Sequence, residues 1–234
     1  MVVVKFKNLT WAYKLLGIPS LWRSIIACDI EWFKEVTAAT LSVLALGEGF
    51  KVCLVDESTL FRVEILENVS RALNITLDEK LILLTDIRED MLRDDIITIL
   101  LNPKNIHYKL KILKDKPFIM LHYKQQVARV KLEKIYCSRV SERIFTLRKG
   151  GLMVKVEARV DGVYDASLSV SGPLKMVLNS LQEALVEYGP LTVSDAITVI
   201  SGSLKVNKSY ARKLLYELVR MGFIKIEGKN VLIA

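Results

Sequence analysis

Glycine is missing from the place where this sequence most invites it. The 234 residues include 11 glycines, yet none lies between Ser24 and Leu46. That stretch reads as a short apolar strand (Ser24 to Ala27), a polar loop, and an apolar-rich helix over Val36 to Leu44. A phosphate-binding loop would carry G-x-x-x-x-G-K-[ST] in this slot. Here Cys28 and Phe33 stand at the glycine positions and Glu35 at the hydroxyl position; only Lys34 matches. Such a loop grips phosphate with backbone N–H groups, which needs glycine's dihedral freedom and no bulky side chain. Asp29, Glu31 and Glu35 would add negative charge against a triphosphate. The expectation is a strand–loop–helix scaffold without ATP chemistry and without a nucleotide cofactor. Lys34 then reads as a solvated lysine in the first turn of a helix, since a lone lysine holds phosphate poorly.

Other scarcities narrow the field. Three cysteines (Cys28, Cys53, Cys137) and two histidines are too few and too ill-spaced for a zinc site or a disulfide framework. They read as buried thiols in a reducing cytoplasm. No apolar run is long enough to cross a bilayer, and Met1 to Phe6 reads as a strand, not as a signal peptide. Acidic residues are outnumbered, 26 against 34 basic, for a net charge of +8. With a pI near 9.3, an acidic polymer is the natural partner. Apolar residues make up 51% of the chain, enough for one α/β domain plus a smaller one.

Charge is unevenly spread. Leu77 to Asp95 is acidic, whereas Lys104 to Arg159 is strongly basic and carries Tyr108, Tyr123 and Tyr136. A charge run is usually a solvated face; its sign and its tyrosines also suit phosphate contact and base stacking.

Along the chain, the helix after Lys34 stops at Gly47-Glu48-Gly49. A strand over Phe50 to Asp56, a helix over Leu60 to Leu73, a strand over Leu81 to Thr85 and a helix from Glu89 to Leu101 follow. This alternation predicts a parallel sheet flanked by helices. Beyond Pro103, strands are expected over Tyr108–Leu113, Phe118–Tyr123, Arg143–Leu147, Leu152–Arg159 and Ala166–Val170, with Gly150-Gly151 and Asp161-Gly162 as turns. The late strands read as antiparallel. Ser171-Gly172-Pro173 marks a boundary, giving domains 1–171 and 172–234. The second reads as helices over Leu174–Tyr188, Thr192–Ile200 and Asn207–Met221, closed by a hairpin over Phe223 to Ile233. Helix, helix, helix, wing is a winged helix-turn-helix.

Several segments together resemble the RecA/RadA recombinase family, specifically its minimal archaeal RadA paralogues, over roughly Asn8 to Val170. "LTWAYKLLGIPSLWRSIIACD" is similar to the family's entry into its first strand. "VCLVDESTLFRVEILENVSRALNITLDE" resembles the segment after the second strand, matching at Asp56, Phe61, Arg62, Ile65 and Leu77-Asp78-Glu79. "CSRVSERIFTLRKGGLMVKVEARVDG" resembles the late strands. The resemblance implies an α/β RecA-like core sheet flanked by helices, parallel in its first half and antiparallel late, plus the small winged-helix domain. The family's catalytic carboxylate falls on Ser58, with Glu57 one place off. A magnesium-holding strand should end in Asp after apolar residues. Of the candidates, those ending Lys114-Asp115 and Leu121-His122 both lack the pattern, and the helix between them reads as deleted. With three parts of phosphoryl transfer missing, no ATPase activity is expected.

Two surfaces remain for DNA. Lys124, Arg129, Lys131 and Lys134 occupy the place of the family's second DNA-binding loop, as the resemblance implies. In a winged helix the third helix enters the major groove through its N-terminal half. That half holds Asn207, Lys208, Ser209, Tyr210, Arg212 and Lys213, with Lys205 before it and Lys225 and Lys229 on the wing. Ala211, Leu214, Leu215, Leu218 and Met221 fall on the opposite, core face. The expected function is a non-catalytic, cytoplasmic accessory of recombination or repair that binds duplex DNA, beside an active recombinase or as its own oligomer. The alternatives are a winged-helix transcription regulator with an inactive core, and a scaffold that binds only proteins.

Overall fold

The computed structural model describes residues 6–59, 61–87, 92–93, 95–166 and 172–233. The strand expected at the N-terminus therefore lies outside the described residues, apart from Phe6. Two compact units divide the chain: Met1–Ser138 with Phe145–Asp165, and Arg139–Ile144 with Ala166–Ala234. Among the described residues no helix is long and apolar enough to cross a membrane.

The first unit is built on a nine-stranded sheet in the order β3-β2-β4-β5-β1-β6-β7-β8-β9. Its strands are β1 (Arg23–Ala27), β2 (Lys51–Asp56), β3 (Leu81–Leu84), β4 (Ile96–Leu101), β5 (Phe118–His122), β6 (Lys134–Arg139), β7 (Ile144–Lys149), β8 (Leu152–Arg159) and β9 (Gly162–Asp165). From β3 to β6 every neighbouring pair runs parallel. β7 and β8 are joined only by Gly150-Gly151, too short for a parallel crossover, and Gly150 takes the positive φ of 55° that this tight turn requires. β8 and β9 are antiparallel. The sheet is thus parallel first and antiparallel late, as the sequence pattern indicates.

Among the described residues, the helices that accompany this sheet are α1 (Thr10–Leu16), α2 (Glu31–Gly47), α3 (Val63–Leu73), α4 (Ile106–Ile112) and the single turn α5 (Lys124–Val127). Every residue of α2 from Phe33 to Leu46 is buried, and apart from Lys34, Glu35, Thr37, Thr40 and Ser42 they are apolar, as in a helix inside a core. Two of its hydroxyls are satisfied locally: Thr37 and Thr40 donate to the carbonyls of Phe33 and Val36. Thr40 Oγ1 also accepts from the backbone of Val163 on β9 at 3.0 Å.

Two expectations fail here. Ile96–Leu101 is a strand, not the end of a helix, and all six residues are buried. A strand covered on both faces carries an unbroken apolar run, which periodicity cannot separate from a buried helix. The segment Tyr108–Leu113 is mostly helix α4, not strand. Its buried positions Ile106, Lys109 and Leu113 follow helical spacing, and Asn105 caps its start by accepting from the Tyr108 N–H. The helix read as deleted is therefore present, and it supplies the crossover that parallel β4 and β5 need. The strand expected from Ala166 lies outside the described residues beyond Ala166 itself, and β9 begins at Gly162, where a turn was expected.

The second unit contains α6 (Pro173–Tyr188), β10 (Leu191–Thr192), α7 (Val193–Leu204), α8 (Lys208–Arg220), β11 (Ile224–Glu227) and β12 (Asn230–Ile233). The three strands form an antiparallel sheet in the order β10-β12-β11. Val177, Leu181, Ile200, Leu215, Leu218 and Val231 are among its core residues. Thr192 opens α7 through a capping box with Asp195, satisfying two helix-end donors reciprocally.

Candidate functional site

Ligands of open parallel sheets bind beyond the carboxyl ends of the strands. Register brings four such ends together here: Ala27 lies beside His122, Leu121 beside Leu101, and Leu101 beside Asp56. The loop from Cys28 to Ile30 leaves β1 at this rim and α2 begins at Glu31.

The cleft is filled by the protein's own side chains. Lys34 is fully buried, a correction to the solvated lysine expected from sequence. Its Nζ lies 3.0 Å from Glu31 Oε2, donates to Asn102 Oδ1, and sits 3.4 Å from the centre of the Tyr123 ring, a cation–π contact. Asn102 Nδ2 donates to Glu31 Oε1 at 2.5 Å, and the Tyr123 hydroxyl donates to Glu31 Oε2 at 2.7 Å. A carboxylate at the first turn of α2 thus takes the role a phosphate would take there, favoured by the helix dipole.

Electrostatics follow from that packing. Burial pulls the Lys34 ammonium below its ordinary pKa, with Glu31 acting against the shift. Burial pushes the Glu31 carboxyl up, but hydrogen bonds from Tyr123, Lys34 and Asn102 outweigh it and hold its pKa below the usual range. Burial, then the Lys34 charge, lowers the His122 pKa, leaving a neutral ring whose Nε2 meets the Pro103 carbonyl at 3.1 Å.

The remaining positions of a would-be phosphate loop are also engaged. Cys28 is buried; a hydrogen bond shared with Cys137 is the largest influence lowering its thiol pKa. Phe33 packs on Phe145 with ring centres 4.3 Å apart. Glu35 is 3.0 Å from Arg62. Asn102 is the residue that sequence reading missed. β4 is the apolar strand that ends at this rim beside β5, and the next residue is an amide, which lacks the negative charge of the aspartate that would hold magnesium. An apolar hexamer followed by one polar residue was the available signal.

At the neighbouring strand end, Asp56 accepts from the N–H groups of Ser58 and Phe61 at 3.1 and 2.8 Å. Glu57 lies 2.6 Å from Lys109, with both side chains buried, and Lys109 also reaches Asp86 at 2.5 Å. Lys109 therefore belongs to an internal charge network, not to an open basic face.

The basic residues after β5 are split in their surroundings. Arg129 and Lys131 are exposed. Lys124 is tied to Asp29, its N–H donating to Oδ1 at 3.0 Å and its Nζ lying 3.5 Å from Oδ2. Lys134 Nζ donates to the Val130 carbonyl at 2.5 Å.

In the second unit, Lys205, Asn207, Lys208, Ser209, Tyr210, Arg212, Lys213, Lys225 and Lys229 are all exposed. Helix α8 buries Ala211, Leu214, Leu215 and Leu218 on the opposite face. Asn207 has a structural task, its side chain accepting from the Tyr210 N–H at 2.8 Å as the helix cap. Lys205 takes a left-handed conformation (φ 53°) at the end of α7. Lys225 pairs with Glu227 on the hairpin.

These features define an α/β protein with a mostly parallel sheet, a self-filled cleft at its strand ends, and a separate helical unit with one basic helix face. No family model matches the chain, and no curated protein matches it. Among solved structures it is similar to one described as "Crystal structure of the RadB recombinase", at 15% identity and a TM-score of 0.48, over 70% of this chain and 99% of that one.

Proposed function

We propose that this protein is a RecA/RadA-like paralogue that binds DNA without hydrolysing ATP, and that its second unit is a winged helix that docks on duplex DNA. The observation that carries DNA binding is the outer face of α8. Lys208, Ser209, Tyr210, Arg212 and Lys213 stand exposed there, above a buried apolar stripe. Arg and Lys at the start of such a helix meet phosphates and base edges, and hairpin lysines such as Lys229 add phosphate contacts. The lack of catalysis is supported by the filled cleft, where Glu31 occupies Lys34 and Asn102 stands where a magnesium ligand is needed. The assignment to recombination or repair, in the cytoplasm and beside an active recombinase or further copies of itself, rests on the sequence resemblance.

The test is a salt titration of the full chain on duplex DNA. Binding should weaken steeply as salt rises, and the paired change Lys208→Ala and Arg212→Ala should lower the log–log slope by about 2. No retention on duplex DNA at low salt would overturn the reading. A strong preference for one short palindrome would instead identify a transcription regulator.

A further inference from the structure

Two of the three cysteines meet across neighbouring strands. β1 and β6 pair in parallel with Ala27 opposite Tyr136, so the next step of the same register sets Cys28 opposite Cys137. Side chains alternate along a strand. Cys28 and Cys137 therefore share a side of the sheet with Ile26 and Ile135, and all four lie in one core cluster. The backbone is still in line at Cys28, whose N–H donates to the His122 carbonyl on β5 at 2.8 Å. Adjacent strands lie about 4.8 Å apart, inside the roughly 4.4–6.8 Å between α-carbons that a disulfide spans. Cys53 is placed differently. It is on β2, which β4 and β5 separate from β1, and it packs with Ile25 and Ala27 in a second cluster.

We propose that Cys28 and Cys137 are a redox-active pair that a small hydroperoxide converts to a disulfide. The Cys28 thiolate attacks one oxygen of hydrogen peroxide, the O–O bond breaks, and hydroxide leaves a sulfenic acid behind. The Cys137 sulfur then displaces that oxygen, which departs with the thiol proton as water. Two thiols lose two electrons and two protons, and the peroxide becomes two waters. The roles follow from the surroundings. The hydrogen bond shared with Cys137, helped by the Lys124 and Lys34 charges, pulls the Cys28 thiol pKa down. The same hydrogen bond, then burial, pushes the Cys137 thiol up. Each residue is 1% exposed, so the oxidant must be as small as hydrogen peroxide, and a bulky disulfide is excluded. Burial raises the Cys53 thiol to about 11, which keeps it protonated and inert. The bond closes a loop of more than a hundred residues and anchors the start of the segment that leads to Glu31 on α2. None of this depends on the reading of α8.

The experiment treats the reduced full-length protein with hydrogen peroxide, then denatures it in an alkylating agent. Cys53 alone should be alkylated, and peptide mapping should find the Cys28 peptide joined to the Cys137 peptide. The oxidised protein should melt roughly 5–15 °C higher than the reduced one, and dithiothreitol should reverse both changes. Cys53→Ser should keep the cross-link and the shift, whereas Cys28→Ser should lose both; the wild-type peptide map decides the matter even where that variant folds poorly. Three alkylated cysteines after peroxide, loss of Cys53 in step with the pair, a bond between two copies of the chain, or a cross-linked chain that melts no higher would overturn the proposal.

Discussion

At the scale of single residues, the deciding pair is Glu31 and Lys34. Their exposures differ: the Lys34 side chain is 0% accessible and that of Glu31 is 32%. Removing the partner of the more buried charge is the costlier change. Glu31→Gln is therefore expected to destabilise the fold by roughly 1–3 kcal/mol, and Lys34→Met by less, because Glu31 can still meet water. Thermal unfolding of both variants checks the order. The pH dependence follows from the direction of the Glu31 shift. Its folded pKa lies below the ordinary 4.5, so the unfolded chain binds more protons in that range. The Glu31 contribution is present above about pH 4.5 and is lost as pH falls through the lowered folded value. Glu31→Gln should flatten that part of the stability profile. The mismatch of Cys28, Phe33 and Glu35 with a phosphate loop was legible from sequence. The burial of Lys34 was not, because its acceptor Asn102 is 68 residues away and its covering ring is Tyr123.

At the scale of elements, local chemistry set some of the helix ends. Asn207 and Thr192 cap α8 and α7 through their own side chains. Asn207→Ala should cost about 1 kcal/mol and lower the melting temperature of the second unit. If Asn207 also read a base, the change would in addition shift the DNA sequence preference; as a cap alone it should not. Misreadings arose where burial pattern and period disagree. β4 is apolar at every position, so nothing in its six residues states which period it follows. The Tyr108-Lys109-Leu110-Lys111 alternation imitates a strand, yet tertiary packing buries Lys109 against Glu57 and makes the segment a helix. Charge pattern alone assigned Lys109 to an open basic face because a partner 52 positions away cannot be seen in a local window.

At the scale of the whole molecule, the proposed DNA binding should weaken strongly as salt rises, because cationic contacts release counterions from DNA, and a net charge of +8 favours such contacts. The filled cleft makes the complementary prediction. Purified protein should not turn over magnesium-ATP, and Asn102→Asp alone should not create turnover, since Cys28, Phe33 and Glu31 still close the loop. A sensitive phosphate-release assay with Lys34→Ala as the control measures this; turnover abolished by that change would refute the prediction.

Composition and pattern by themselves determined the alternation of strands and helices as far as β3, the parallel-then-antiparallel sheet, the helix–helix–helix–hairpin order near the C-terminus and the excess of positive charge. These are local or additive properties, readable from spacing and counts. Only tertiary structure decided that β4 is a strand and that Lys34 is buried against Asn102 and beneath Tyr123. Each of those facts depends on residues far apart in the chain being brought together by sheet register, and no local window of sequence contains that information.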